Sequence, residues 1–63
     1  MRASNTVRAI SESVAAARAG QAVRIITSRT AAKQLRALLS GYADGVRTDD
    51  KWVFGSGSVE IVT

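Results

Sequence analysis

The 63-residue chain contains no cysteine, no histidine and no proline, and only one each of Trp, Tyr, Phe and Met. Without cysteine there is no disulfide and no thiolate nucleophile. Without cysteine or histidine, the usual ligands of a structural zinc and of most transition-metal sites are missing. The lack of histidine also removes the commonest general base. A non-enzymatic protein is therefore expected, with no metal site and no small-molecule cofactor. No apolar run approaches the ~18 residues of a membrane-spanning helix, and the N-terminus lacks the apolar stretch of a signal peptide. No membrane contact is expected, and the absence of cysteine suits the reducing cytoplasm. Without a Pro-rich linker or an internal repeat, residues 1–63 read as a single domain, with residues 1–5 expected to fray.

Acids are scarce as well, five against nine bases, for a net charge of +4. The imbalance is local. Residues 13–43 hold five bases (Arg18, Arg24, Arg29, Lys33, Arg36) and no acid. Elsewhere four bases (Arg2, Arg8, Arg47, Lys51) meet five acids (Glu12, Asp44, Asp49, Asp50, Glu60). A positive excess confined to one segment favours a polyanionic partner. Arg exceeds Lys seven to two and Ala fills 11 positions. That bias suits a GC-rich coding sequence, such as a bacterial or phage accessory gene, and bears on source alone.

Periodicity supplies the elements. Residues 6–19 carry Val7, Ile10, Val14 and Ala17 at helical spacing, with Asn5 or Thr6 expected to cap the start and Gly20 the end. The far face of this helix shows the small residues Ala9, Ser13 and Ala16. They read as solvent-facing positions or as a close-packing surface for a second copy of the chain. Residues 22–27, AVRIIT, are short and β-branched and predict a strand. A second helix is predicted over 29–40, with Ser28 as N-cap and Gly41 following the last turn. Its core stripe comprises Ala31, Ala32, Leu35, Leu38, Leu39 and Tyr42. Residues 46–48, 51–54 and 58–62 read as three strands of a meander, separated by Asp49-Asp50 and Gly55-Ser56-Gly57. In it Trp52, Phe54, Val59 and Ile61 share one face, and Val53, Glu60 and Val62 the other. The expected fold is a small α+β domain of order α-β-α-β-β-β, two helices packed on a short, mostly antiparallel sheet. The last strand reads either as an open edge, in which case Val59 and Ile61 join Ala9, Ser13 and Ala16 as candidate oligomer contacts, or as covered by a helix end or by the first strand.

The best candidate site is the stretch TSRTAAKQLR at 27–36. The first amides of a helix point outward at the positive end of its dipole, and anions bind there after a strand. Ser28 and Thr30 add hydroxyls and Arg29 a planar fork suited to phosphate oxygens. Down the helix, Arg29, Lys33 and Arg36 fall within about 60° of one another, on one flank of the leucine stripe. Arg24, Arg47 and Lys51 are further candidate contacts, the last two in the manner of a wing. The outline is reminiscent of a winged helix, which however needs one more helix before the hairpin. No family is identified. Asp49 and Asp50 read as solvated turn-formers, and Gly55-Ser56-Gly57 as a hairpin turn rather than a phosphate loop, because a strand follows it. The expected partner is nucleic acid, contacted through its phosphates, with a homodimer doubling the footprint. The alternative is an acidic protein partner or self-assembly.

Overall fold

In the computed structural model, residues 6–63 are described in full and residues 2–5 as helical backbone only; the fraying expected at 1–5 lies outside that full description. The order is α1 (Arg2–Arg18), β1 (Ala22–Ile26), α2 (Arg29–Ser40), β2 (Val46–Thr48), β3 (Lys51–Phe54) and β4 (Gly57–Val62). This is the expected α+β arrangement. α1 begins at Arg2, so Asn5 and Thr6 lie within the helix and do not cap it. Nothing from position 2 to position 6 breaks a helix, since neither Pro nor Gly occurs there.

Gly20 ends α1 as expected, in the left-handed region at φ 100°. The Gln21 N–H donates to the Ala16 carbonyl and the Gly20 N–H to that of Ala17, which together satisfy the last turn. α2 starts where Ser28, extended at φ −76° and ψ 162°, accepts the Ala31 N–H on its side chain. Gly41 closes α2 in the ordinary helical region at φ −78°, so its lack of a side chain is not needed for a left-handed cap.

The four strands order as β1-β4-β3-β2. β1 pairs parallel to β4, and the other two ladders are antiparallel. The meander therefore returns its last strand to the middle of the sheet. The first strand covers it, and Val59 and Ile61, the candidates for an open edge, lie between β1 and β3 and are buried at 0% and 3% exposure. As parts of the monomer core they offer no surface to a second copy. Both arrangements stayed open in the sequence because a meander does not decide whether its last strand pairs outward with nothing or inward with an earlier strand.

Both helices pack on the face that carries Trp52, Phe54, Val59 and Ile61. α1 contributes Ile10, Val14 and Ala17, and α2 contributes Ala32, Leu35 and Leu39. Tyr42 meets Phe54 edge-on at 6.1 Å between ring centres. Val7, expected in the core, is 52% exposed. It lies on the rim of a groove between the helices, beside Thr6, Gln34, Ala37 and Leu38. α1 comes close to the sheet at Gly57, the first residue of β4. A Cβ there would stand 2.5 Å from the Gln21 oxygen and 2.7 Å from the Ala17 carbonyl carbon. The opposite face of the sheet carries no helix. The cross-strand register places Arg24, Glu60, Lys51 and Thr48 in one row across it. Among the described residues, no helix is long and apolar enough to cross a membrane.

Candidate nucleic-acid interface

α2 presents its basic residues as a flank because its opposite side is fixed. Ala32, Leu35 and Leu39 are buried. The positions that follow them by one, Lys33 and Arg36, are therefore turned about 100° away. Arg29 and Lys33 are exposed, and among the described residues no acid lies within ion-pairing distance of either. Arg36 is different. Its Nε lies 3.1 Å from Oδ1 of Asp50, and its side chain retains 32% of its accessible surface. The helix is thereby tied to the β2–β3 turn, and one positive charge of the row is matched by a carboxylate.

Arg47 joins the same turn. It opposes Trp52 in the β2–β3 ladder and so lies on the helix-bearing face. Its guanidinium stands 4.9 Å from the Trp52 ring centre, and its Nε donates to the Asp49 carbonyl at 2.9 Å. Two guanidiniums thus converge on consecutive residues of one turn. The other basic candidates go elsewhere. Arg24 and Lys51 lie on the helix-free face, and Arg24 is 3.5 Å from Glu60. The structure unites Arg29, Lys33, Arg36 and Arg47 on the helix side and separates Arg24 and Lys51 from them.

At the start of α2, the Ser28 hydroxyl oxygen is occupied by the Ala31 N–H at 3.2 Å, and its carbonyl accepts from Ala32 at 2.8 Å. Ser28 and Thr30 are both exposed. Arg29 in the first turn opposes the helix dipole at a cost of about 0.3–1 kcal/mol.

The acids segregate away from Lys33. Asp44, in the loop after α2, makes a bidentate pair with Arg18, at 2.9 Å and 2.8 Å. This pair holds the Asp44 carboxyl below its ordinary value, chiefly through the hydrogen bond from Arg18, and raises Arg18 reciprocally. Arg18 also stands 5.6 Å from the Tyr42 ring centre and 6.0 Å from that of Phe54. This small cluster closes the end of the core where α1 stops, and composition alone did not reveal it. Among the described residues no group of acids is gathered as a metal site. The small face of α1 borders an open groove, which Ala9 and Ser13 line with Ile25, Thr27, Ala31, Gln34 and Leu35. Ser13 turns its hydroxyl back onto the Ala9 carbonyl at 2.8 Å, and Ala16 is half-buried.

Comparison of the chain with protein families, with curated proteins and with solved structures finds no match. The arrangement is a small mixed-sheet α+β domain with one basic helix flank.

Proposed function

We propose that this chain is a non-enzymatic binding protein that contacts nucleic-acid phosphates through the α2 flank of Arg29, Lys33 and Arg36. The supporting observation is that Arg29 and Lys33 stand exposed and, among the described residues, without acidic partners, on a helix anchored by Ala32, Leu35 and Leu39. Arg36 and Arg47 extend the row at its lower end. No aromatic ring is exposed beside these bases, since Trp52 is buried, so the contacts are to the backbone and not to stacked bases.

The reading makes a numerical forecast. Two free cations give a log–log salt slope of about −1.8 on duplex DNA, at ~0.9 per phosphate contact. Replacing Asp50 with Asn releases Arg36 and should steepen the slope to about −2.7. A symmetric dimer would double either value. Fluorescence anisotropy with duplex DNA and with structured RNA, over a range of salt, measures this. The double substitution Arg29→Glu with Lys33→Glu should abolish binding with circular dichroism unchanged. Salt-insensitive binding, or none at micromolar protein, removes the proposal.

A second reading, capture of another protein, draws on a different observation. Ile26 is 77% exposed on a strand at the sheet edge.

A further inference from the structure

We propose that the outer edge of β1 is a docking site for an extended segment of another protein, apolar on one side and bearing a carboxylate on the other. The site is separate from the α2 flank and does not depend on it.

Backbone polarity comes first. The Gln21 carbonyl accepts from the Ser58 N–H at 3.0 Å, and the Thr27 N–H donates to the Val62 carbonyl at 2.9 Å. In a parallel ladder, alternate residues face the neighbouring strand. Gln21, Val23, Ile25 and Thr27 therefore face β4, and Ala22, Arg24 and Ile26 turn their N–H and C=O groups outward. β1 is the end strand of the sheet, and its outward-facing residues are all exposed. The edge offers a row of three donors and three acceptors, the template on which an extended peptide adds as a further strand.

Side-chain space accompanies the template. Immediately on the helix side of the edge lies a groove of about 330 Å³, lined by Ala9, Ser13, Ile25, Thr27, Ala31 and Leu35 among others. The small residues of α1 keep it open. Successive side chains of an added strand point to opposite faces. Alternate apolar residues would enter the groove, and those between them would lie beside Arg24 and Ile26 on the helix-free face.

Charge selects the occupant. Arg24 is the middle residue of the strand, and although its Nε lies 3.5 Å from Glu60 its side chain keeps 67% of its accessible surface. If a second copy paired antiparallel with full overlap, Ala22 would oppose Ile26 and Arg24 would oppose the other Arg24. Like charges directly opposite are unfavourable, whereas a carboxylate there is favourable. The other edge is poorer: β2 has three residues and runs into Asp49, left-handed at φ 54°.

The test uses a fluorescein-labelled peptide of about ten residues that alternates valine with threonine and has one central glutamate. Saturable anisotropy is expected, and replacing the glutamate with lysine should weaken binding about fivefold or more. The substitution Arg24→Glu should reverse the preference between the two peptides, and Lys33→Glu should leave it unchanged. Ile26→Pro removes an outward N–H that β4 does not use and should abolish binding with the far-ultraviolet dichroism intact. Should that variant misfold, peptides N-methylated on alternate residues make the same distinction, since only one methylation frame faces β1 and should block binding. No saturable binding of either peptide would overturn the proposal, and so would undiminished binding by a folded Ile26→Pro protein. A solution dimer whose β1 amides resist hydrogen exchange would also overturn it, because the occupant would then be a second copy.

Discussion

Replacing Gly57 with alanine should damage this domain more than its single added methyl group suggests. The new Cβ would collide with the Ala17 carbonyl oxygen, lie 2.5 Å from the Gln21 oxygen and lie 2.7 Å from the Ala17 carbonyl carbon. All three are backbone atoms, at the place where α1 ends and the chain turns into β1. None can move aside by changing a rotamer, so α1 must lift from β4. Overpacking typically costs 1–3 kcal/mol, and a clash with fixed backbone belongs at the upper end, about 3 kcal/mol. A domain of 63 residues has a total stability of only roughly 3–9 kcal/mol. At about 4–8 °C per kcal/mol for a domain of this size, the melting temperature should fall by roughly 12–24 °C. The control is Gly55, whose Cβ would meet nothing within 4 Å but which sits at φ +62°. Gly55→Ala then carries only left-handed strain, partly offset by the less flexible unfolded chain, about 1 kcal/mol net. Thermal melts followed by circular dichroism should rank the proteins wild type, Gly55→Ala, Gly57→Ala. If Gly57→Ala melted within about 5 °C of wild type, or above Gly55→Ala, the close approach of α1 to β4 would be refuted.

Three further outcomes follow from local geometry. Asp49 holds φ 54° without being glycine, so Asp49→Gly should relieve strain and stabilise the domain by about 0.5–1 kcal/mol in urea melts. Removing the guanidinium from above Trp52 with Arg47→Ala should cost about 0.5–1 kcal/mol, with a change in tryptophan emission. Because Arg18 holds the folded-state Asp44 carboxyl below its ordinary 3.8, the pair stabilises the fold above that pH and loses its effect as pH falls through the depressed value. Asp44→Asn should therefore flatten the dependence of melting temperature on pH below about 5, with little change in slope at neutral pH.

The elements were legible because their signals are local. A period near 3.6 with Ser28 before it defined α2, and alternation of Trp52, Phe54, Val59 and Ile61 defined the inward face of the meander. The start of α1 was not, because nothing in residues 2–6 says where a helix must begin. Strand order was also hidden: β4 reads the same whether it lies at an edge or between two partners, and only its pairing with β1 decides. The basic flank of α2 followed from helical geometry, and Arg29, Lys33 and Arg36 do share it. Its partial neutralisation did not, because the ion pair from Arg36 to Asp50 joins residues 14 positions apart through the fold. Arg24 and Lys51 were both candidate contacts beside the α2 flank in the sequence, yet the sheet turns both to its other side.

The placement of β1 also shapes how the molecule comes into being. Val23 finds its ladder partner in Val59, 36 residues later (59 − 23). A ribosome adding about 5–20 residues per second takes roughly 2–7 s to supply it. Until Val59 has emerged and folded back, the AVRII segment has no strand to pair with. The arginine at its centre sets like charges opposite each other if two such segments meet antiparallel in full register, and so disfavours their joining.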